Sequence, residues 1–224
     1  MDNIKLWDEI YQSNEWGKYP PVPVIRFIAK NFYKDKNRKE IKILELGSGT
    51  GANLWFCARE GFSVYGIDGS STAVSRMLER FKDENLTDML IGSSVGDYYD
   101  QLHKLQDNYF DAIIDVESLY CNSFERSKEI VKSAFDKLKT GGVFLSMTFA
   151  NGTIGASGKE IDYHAVMPID GPMAHKGFTR YTTREDIGIL YKNSQSLIES
   201  IERQDLILDS GDSIKEWIIE CRKI

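Results

Sequence analysis

Three closely spaced glycines, Gly47, Gly49 and Gly51, stand between two acidic residues, Glu45 and Asp68. Glycine is needed where the backbone turns sharply, or where it approaches a ligand so closely that a Cβ atom would collide. Asp68 lies 68 − 47 = 21 positions after the first glycine, close to the interval of roughly 20 residues at which an acidic side chain binds the hydroxyl pair of a ribose. The pattern therefore predicts a nucleoside site in which the carboxylate of Asp68 accepts hydrogen bonds from two adjacent hydroxyls.

The elements that position these residues form one β-turn-α-β unit over residues 41–70. Apolar residues crowd 41–46, as in a buried parallel strand, and the pattern predicts a helix over 52–60. A second strand at 62–67 brings Asp68 to its carboxyl end, which is where ligands of open parallel sheets bind.

The spacing of the glycines distinguishes between two nucleotide cofactors. Dinucleotide-binding turns have the pattern G-x-G-x-x-G, whereas this chain has G-x-G-x-G followed by Ala52. Glu45 also places a negative charge at the turn, which suits the ammonium group of a ligand better than a pyrophosphate. With Asp68 downstream, this turn resembles that of the class I methyltransferases that use S-adenosylmethionine; its residues are Glu45-Leu46-Gly47-Ser48-Gly49-Thr50-Gly51.

The resemblance covers residues 41–149 and implies an α/β fold: a Rossmann-like, seven-stranded, mostly parallel sheet with helices on both faces and an antiparallel last strand. It also implies that the methionine portion of S-adenosyl-L-methionine lies over the glycine turn, that the ribose hydroxyls meet Asp68, and that S-adenosyl-L-homocysteine is the product. The turn Lys139-Thr140-Gly141-Gly142, before an apolar strand at 143–149, is a further match to the family pattern.

A third strand, predicted near 89–95, is followed by Asp97 and Tyr98. In the family, an acidic residue at this place accepts a hydrogen bond from the adenine amino group, and the next side chain packs on the ring. The alternative is that Asp97 only caps a helix at 98–105. The resemblance thus implies a set of cofactor-binding residues: Trp7, Tyr11, Trp16, Glu45, Gly47, Ser48, Gly49, Gly51, Asn53, Asp68, Gly69, Ser70, Asp97, Tyr98 and Asp115.

The segment before the nucleotide unit is rich in aromatic residues. Trp7 and Tyr11 are four positions apart, on one face of a predicted helix, and Trp16 follows. They belong either to a helix that covers the sheet edge or to a lid that excludes water from a pocket. We divide a single methyltransferase domain accordingly into an amino-terminal helical lid (1–40), a cofactor-binding core (41–149), an acceptor-site loop insertion (150–182) and a last helix with the terminal strands (183–224).

Composition and charge limit the function classes. The 224 residues are 42% hydrophobic and 28% charged, which suits one α/β domain. The net charge of −6 and the lack of an unbroken basic run argue against a nucleic-acid partner.

Three cysteines without a C-x-x-C pair indicate neither a disulfide framework nor a zinc site, which fits a reducing cytoplasm. No stretch of the sequence approaches the roughly 18 apolar residues of a membrane span, and we expect a monomer or homodimer without a metal.

The end of the fourth strand, predicted at 109–115, is the place where family members differ according to the methyl acceptor. Enzymes that methylate bases carry a Pro-Pro-aromatic or Pro-Cys run there, whereas Val116-Glu117-Ser118-Leu119 matches neither and favours a small-molecule acceptor. The glycine-rich loop at 150–182 is expected to complete the acceptor pocket. The candidate general bases are His164, His175 and Glu117, and the candidate substrate-binding residues are Tyr120, Tyr163 and Arg180.

Several alternatives remain open for these residues and for the function. Either histidine can have a surface or structural role, and Arg180 can pair with a carboxylate of the scaffold instead of an anionic acceptor. We predict methyl transfer to an oxygen or nitrogen of a small polar metabolite, with a sugar or surface-glycan precursor as one candidate and a peptide as another. The alternative functions are a non-catalytic S-adenosylmethionine-binding module and an aminopropyl transferase that uses Asp115 and Glu117. A nicotinamide-dependent oxidoreductase is disfavoured by the glycine spacing and by Glu45.

Overall fold

Seven strands form the central sheet of the computed structural model, which describes residues 3–224. Two further short strands, β6 and β7 in chain order, pair with each other in a separate sheet. The strands are β1 (Lys42–Leu46), β2 (Ser63–Asp68), β3 (Leu90–Val95), β4 (Phe110–Val116), β5 (Leu138–Phe149), β6 (Ala165–Val166), β7 (Thr179–Arg180), β8 (Ser196–Ile207) and β9 (Ser213–Lys223).

The strand order in the central sheet is β3-β2-β1-β4-β5-β9-β8. β1 pairs in parallel with β2 and β4, β2 with β3, and β4 with β5, whereas β9 is antiparallel to both β5 and β8. This confirms the predicted Rossmann-like sheet with an antiparallel last strand. Because the chain leaves β1 and β4 towards opposite edges of the sheet, a crevice opens at the carboxyl ends of these two strands.

Helices cover both faces of the sheet, because its central strands are apolar on both sides. One hydrophobic cluster packs α2, α3 and α4 against one face, with Phe27 and Met77 fully buried, and another packs α5, α6 and α7 against the other face, with Phe135 and Ile187 fully buried. Among the helices of residues 3–224, none is long and apolar enough to cross a membrane. The helices are α1 (Asn3–Ser13), α2 (Val22–Phe32), α3 (Ala52–Arg59), α4 (Ser71–Asp83), α5 (Tyr98–Leu102), α6 (Phe124–Lys137) and α7 (Arg184–Tyr191).

Three local features differ from the sequence-based expectations. The turn expected at 139–142 is part of β5, where the pairing with β4 shifts register and Gly141 has a φ of 80°. Such a bulge uses the same glycines as a turn, so the sequence pattern does not separate the two. The helix predicted at 98–105 ends at Leu102. Leu78, which the apolar spacing of residues 73–81 predicts to be in the core, is 41% exposed on α4.

Residues 150–182 form a long, mostly irregular loop that begins where β5 ends. Its backbone is held by the pairing of β6 with β7. A small hydrophobic cluster, which includes Tyr120, Phe149, Met173 and Tyr181, joins this loop to the carboxyl ends of the central strands. The loop is therefore packed onto the end of the sheet that carries the crevice.

Candidate active site

A cavity of about 340 Å³ lies at the carboxyl ends of β1, β2 and β4. The glycine turn after β1 and Asp68 at the end of β2 line one part of it, and residues of α1 line another. Residues that follow β4, together with Pro172, Met173 and Lys176 of the 150–182 loop, complete the lining. The crevice expected from the strand order is thus closed over by two segments from outside the sheet.

The glycine turn is fixed by its backbone hydrogen bonds and leaves no room for side chains. The amides of Gly47 and Ser48 donate to the carbonyl of Ile67 at 2.8 and 3.0 Å. Gly47 and Gly49 have φ values of 69° and 51°, a region that favours glycine. A Cβ atom on Gly47 would lie 2.3 Å from the Cβ of Ser118, and one on Gly49 would lie 2.7 Å from the hydroxyl of Tyr11. The turn therefore requires glycine at both positions.

Asp68 is held rigidly at the end of β2. One carboxylate oxygen accepts a hydrogen bond from the amide of Gly49 at 2.7 Å, and the other accepts one from the amide of Ser70 at 2.8 Å. The side chain is 7% exposed, and burial raises the pKa of Asp68 against the effect of these two amides. Because each carboxylate oxygen has two lone pairs, both retain capacity to accept from a ligand hydroxyl.

Four buried polar atoms in this cavity have no hydrogen-bond partner within residues 3–224: Trp7 Nε1, Glu45 Oε2, Ser48 Oγ and Asn53 Oδ1. The other oxygen of Glu45 accepts from the amide nitrogen of Asn53 at 2.5 Å, and burial raises the pKa of Glu45 well above its usual value. Leaving a buried polar group unpaired costs about 1–3 kcal/mol. An unpaired donor beside unpaired acceptors therefore fits a ligand that carries both an acceptor and a donor group.

Helix α1 is attached to the cavity at two points. Asp8 accepts from the hydroxyl of Ser70 at 2.5 Å and from the amide of Thr72 at 3.0 Å, which joins α1 to the first turn of α4. At its beginning, the Asn3 side chain donates to the carbonyl of Cys121 at 2.9 Å. Helix α1 is thus bonded both to the start of α4, next to Asp68, and to the segment after β4.

The segment that follows α1 is held at the cavity by hydrogen bonds from α4. Arg76 and Arg80 of α4 donate to the carbonyls of Asn14 and Lys18 at 2.8 and 2.7 Å. Trp16, between these anchors, has its ring centroid 5.6 Å from that of Trp7 and 5.4 Å from that of Tyr11. Three aromatic rings thereby form one wall of the cavity.

Glu117, immediately after β4, is the acidic group on the opposite side of the cavity. Its φ of 52° is unusual for a residue with a side chain, and its amide donates to the carbonyl of Met147 at 2.9 Å. Burial raises the pKa of Glu117 to about 9, with a further contribution from Glu216 of β9. Lys176 acts on this pKa in the opposite direction.

Comparison with protein families agrees with this geometry. Residues 43–142, from β1 into β5, match the model of a family described as a methyltransferase domain. This segment of the chain is therefore similar to methyltransferase domains. A search of curated protein sequences found no significant match to the chain.

Solved structures match the chain over most of its length. An S-adenosylmethionine-dependent methyltransferase from Methanosarcina mazei is 18% identical with a TM-score of 0.70, covering 87% of this chain and 97% of that one. A second, from Anabaena variabilis, is 13% identical with a TM-score of 0.69, covering 100% and 96%. TehB from Haemophilus influenzae is 18% identical with a TM-score of 0.65, covering 97% and 67%. At these identities the likeness is one of fold.

Most residues predicted to bind the cofactor line this cavity. Asp97 caps α5, accepting from the amide of Tyr99 at 2.9 Å, and also accepts from Arg126 at 3.0 Å. Because it lines the cavity as well, the capping role and the predicted role at the adenine are compatible. The predicted residues in the lining are Trp7, Tyr11, Trp16, Glu45, Gly47, Ser48, Gly49, Asn53, Asp68, Gly69, Ser70, Asp97 and Tyr98.

Gly51 and Asp115, also predicted to bind the cofactor, lie outside the cavity lining. Gly51 precedes α3 with a φ of 81°, and a Cβ atom there would lie 2.4 Å from the Cγ of Met77. Asp115 is fully buried and accepts from the hydroxyls of Ser118 and Ser146 at 2.7 and 2.6 Å. Both residues therefore shape the backbone around the site.

Neither histidine proposed as a general base lines this cavity. The Nδ1 atom of His164 lies 2.9 Å from Asp186, and its ring stacks on Tyr163, whose hydroxyl donates to the same carboxylate at 3.0 Å. These contacts join the 150–182 loop to the start of α7, so the predicted roles of His164 and Tyr163 in the acceptor pocket do not agree with their placement. His175 is exposed, and its backbone amide bonds to Pro168.

Arg180 does not line the cavity either. Its side chain is 1% exposed and donates to the hydroxyls of Thr182 and Ser127 at 3.1 and 3.2 Å. Within residues 3–224 no carboxylate lies in ion-pair range of it, so the predicted pairing with a scaffold carboxylate is also absent. Arg180 joins β7 to α6, and of the three predicted substrate-binding residues only Tyr120 lines the cavity.

Sequence reasoning missed several residues of the acceptor side, notably Lys176, Met173 and Asn122. Cys121 also lines the cavity, and burial raises the pKa of its thiol to about 12. The signal for Cys121 and Asn122 was their position just after Glu117, whereas nothing local marks Met173 or Lys176 in an irregular loop. Among the described residues, no group of histidine, cysteine and acidic side chains is arranged to hold a metal ion.

Proposed function

We propose that the methyltransferase binds S-adenosylmethionine in the 340 Å³ cavity and transfers its methyl group to an oxygen or nitrogen of a small polar metabolite. The observation that carries this proposal is the set of four buried, unpartnered polar atoms beside Asp68 and the glycine turn. In this assignment Glu45 and Asn53 accept from the ligand ammonium and Trp7 donates to its carboxylate. Asp68 accepts from the ribose hydroxyls.

The remaining cofactor contacts follow from the lining. Asp97 and Tyr98 lie where the adenine is expected, with Asp97 as the acceptor for its amino group and Tyr98 packed on the ring. The rings of Trp7, Tyr11 and Trp16 offer faces that attract a positively charged sulfonium, an interaction worth about 0.5–2 kcal/mol. They also exclude water from the reacting groups. We keep the domain division proposed from the sequence, with 1–40 as the lid and 150–182 as the acceptor loop.

The chemistry depends chiefly on position. The bound cofactor supplies an electrophilic methyl group, so the protein has to hold the acceptor atom in line with it, a contribution of up to about 7–11 kcal/mol in ideal cases. Glu117 is the group of this chain that we assign as general base, because it is the predicted base that lines the cavity. Removal of a proton by such a base contributes about 10²–10⁴-fold to the rate.

Structures with the same fold have diverse substrates. One, from Haemonchus contortus, is a phosphoethanolamine N-methyltransferase in complex with phosphomonomethylethanolamine, and another is a geranyl diphosphate methyltransferase in complex with geranyl diphosphate. The fold alone therefore does not select the acceptor, and the sugar or glycan precursor stays a prediction. The aminopropyl transferase alternative loses support because Asp115, one of its two expected acids, faces Ser146 outside the cavity.

Titration calorimetry with S-adenosylmethionine, S-adenosylhomocysteine and reduced nicotinamide dinucleotide tests the assignment. We expect both adenosyl ligands to bind and Asp68→Asn to weaken them by about 10- to 100-fold, as for a lost hydrogen bond to a charged group. Asp83→Asn, at the exposed end of α4, is the matched control. Binding of the dinucleotide alone, or unchanged binding in Asp68→Asn, would contradict the proposal. Tight binding without turnover of any acceptor would instead indicate the non-catalytic module.

A further inference from the structure

We propose that the methyl acceptor carries an anionic group, a carboxylate or a phosphate, which Lys176 binds while the reacting atom of the acceptor lies at Glu117. This inference rests on the proposed function and specifies its substrate class. It assigns to Lys176, which no sequence pattern indicated, the role of a specificity-determining residue. A neutral sugar or a neutral amine would then be a poor acceptor.

The first observation is that Lys176 carries the positive charge of the cavity. Of the lining residues, all within 3–224, it is the one with a cationic side chain, whereas the acidic members are Glu45, Asp68, Asp97 and Glu117. The ion pairs found within residues 3–224 do not include Lys176. A lysine near acidic side chains that pairs with none of them is able to bind an anion from outside the protein.

The second observation is the bonding of the Lys176 ammonium group. It donates to the carbonyl of Pro172 at 2.9 Å, and this is the hydrogen bond that it makes within residues 3–224. An ammonium group has three donors, so two of them are left for a ligand. The group also lies 5.4 Å from the ring centroid of Trp16, whose face attracts a cation without using these donors. Both contacts hold the ammonium group in place and leave it able to bind an oxyanion.

The third observation is that the backbone around Lys176 is fixed in the turn formed by residues 171–177. The amide of His175 in this turn donates to the carbonyl of Pro168 at 2.9 Å. His175 has a φ of 60°, and such strain at a residue with a side chain persists where the surrounding structure enforces it, commonly at functional sites. Gly177 approaches α1 so closely that a Cβ atom there would lie 2.8 Å from side-chain atoms of that helix. The position of Lys176 is therefore determined by its neighbours on both sides.

The turn places Lys176 at the acceptor end of the cavity. The hydroxyl of Tyr120, which follows β4, donates to the sulfur of Met173 in this turn at 3.3 Å. Lys176 also acts to lower the pKa of Glu117, the residue directly after β4, although the two form no ion pair. The methionine portion of the cofactor, by contrast, is assigned to Glu45 over the glycine turn. An acceptor that reaches both Glu117 and Lys176 would have its reacting atom at the first and its anion at the second.

These features together favour an anionic acceptor over a neutral one. A ligand that fills the cavity removes water from the ammonium group of Lys176, and a charge that is buried without a partner is unfavourable. A carboxylate or a phosphate restores a charge-assisted hydrogen bond, whereas a hydroxyl or an amide restores only a weaker one. Because Lys176 is the one cationic group of the described lining, it would also determine the orientation of the acceptor.

The test uses the whole protein with S-adenosylhomocysteine bound, so that the carboxylate of the cofactor product is already in place. Carbon NMR of protein labelled at the lysine ε-carbon follows Lys176, whose signal is assigned by Lys176→Met. Sodium acetate and sodium phosphate are the probes, and sodium chloride at equal ionic strength is the matched salt. We expect tens of millimolar acetate or phosphate to shift the Lys176 signal saturably, and the stronger of the two distinguishes a carboxylate from a phosphate. Lys5, exposed on α1 and outside the cavity lining, is the internal control.

Two results of this titration would overturn the inference: no shift of the Lys176 signal with either probe, or an equal shift with chloride. Calorimetry with S-adenosylhomocysteine adds a third. We expect Lys176→Met to bind it with wild-type affinity, and a loss of about 10-fold or more would assign this lysine to the carboxylate of the cofactor instead. The proposed function fails separately, through absence of S-adenosylhomocysteine binding in the wild-type protein.

A radiometric assay of methyl transfer gives a further criterion. Pooled hydroxy acids, amino acids and sugar phosphates are compared with the matched amides and unphosphorylated sugars. We expect methylation of a charged pool, a loss of about 10- to 100-fold in kcat/KM for Lys176→Met, and partial rescue by Lys176→Arg. Lys5→Met is the control variant, and thermal unfolding verifies that all variants are folded. Methylation of the neutral pools alone would also reject the inference, and if no pool is methylated, the titration with acetate and phosphate decides.

Discussion

The carboxylate of Asp8 accepts a 2.5 Å hydrogen bond from the hydroxyl of Ser70. The backbone amide of the same serine donates to Asp68 at 2.8 Å. One residue at the start of α4 therefore joins the lid helix to the carboxylate that we assign to the ribose. Asp8 and Asp68 thus share a hydrogen-bond network although they are 68 − 8 = 60 positions apart in the sequence.

Removal of this link should weaken cofactor binding without removing any group that contacts the cofactor. We expect Asp8→Ala to raise the dissociation constant of S-adenosylhomocysteine by about 3- to 10-fold, and to speed hydrogen exchange of α1. Asp8→Asn retains an acceptor oxygen and should have a smaller effect. Glu9→Ala, on the exposed side of α1, is the control. Unchanged exchange of α1 in Asp8→Ala would contradict this role.

The pH dependence of the same link has a definite sign. The hydrogen bond from Ser70 lowers the pKa of Asp8 below its usual value of 3.8. The stabilisation that Asp8 gives to the contact between α1 and α4 is therefore complete above pH 3.8. It is lost as the pH falls through the lower pKa that Asp8 has in the folded state. Exchange of α1 in the wild-type protein should thus accelerate only in strongly acidic solution, and Asp8→Ala should remove that acceleration.

Gly47→Ala should destabilise the fold. The new Cβ atom would lie 2.3 Å from the Cβ of Ser118, and a φ of 69° is strained for alanine. We expect a loss of at least about 2 kcal/mol, or a fall in Tm of about 4–8 °C. Gly188→Ala is the matched control, since nothing lies within 4 Å of its Cβ position in α7. That variant should gain about 0.4–1 kcal/mol from reduced entropy of the unfolded chain. Equal effects of the two substitutions would exclude this account of the turn.

Because Glu117 loses its proton as the pH rises, the free energy of unfolding should fall over the same pH range. Its pKa is raised from 4.5 to about 9 by burial and by Glu216, so between these values the folded state holds more of this proton than the unfolded state does. The stability due to this group is therefore full below pH 4.5 and declines up to about pH 9. Thermal unfolding across that window should show a smaller decline for Glu117→Gln than for wild type. Parallel curves for the two proteins would show that Glu117 titrates normally.

His164→Ala should affect stability and leave the cavity unchanged. The substitution removes the contact with Asp186 at 2.9 Å and the stacking on Tyr163, which we expect to cost about 1–2 kcal/mol. His164→Asn tolerates the positive φ of 52° and should lose less. Calorimetry with S-adenosylhomocysteine should give wild-type affinity for both variants. A large loss of affinity would show instead that His164 contributes to the binding site.

The sequence was sufficient for the parts of the site that depend on local backbone geometry. A glycine turn between a buried strand and a helix, followed by Asp68, has few structural solutions, so the central unit and its neighbours were predictable. The position of Asp8 beside Ser70 was not, because docking of α1 depends on packing between distant segments. The predicted roles of His164 and Arg180 in the acceptor pocket failed for the same reason. Their residue types favoured a role in catalysis or binding, but their polar groups bond to Asp186 and Ser127 in the scaffold.

The cavity takes its residues from α1, from the carboxyl ends of β1 to β5 and from the loop after β5. No contiguous fragment of the chain contains all of them, so the cavity forms only when these distant segments are packed together. A cofactor present at 100 times its dissociation constant would raise the free energy of unfolding by about 2.7 kcal/mol. The resistance of this protein to proteolysis in a cell should therefore follow the supply of its methyl donor.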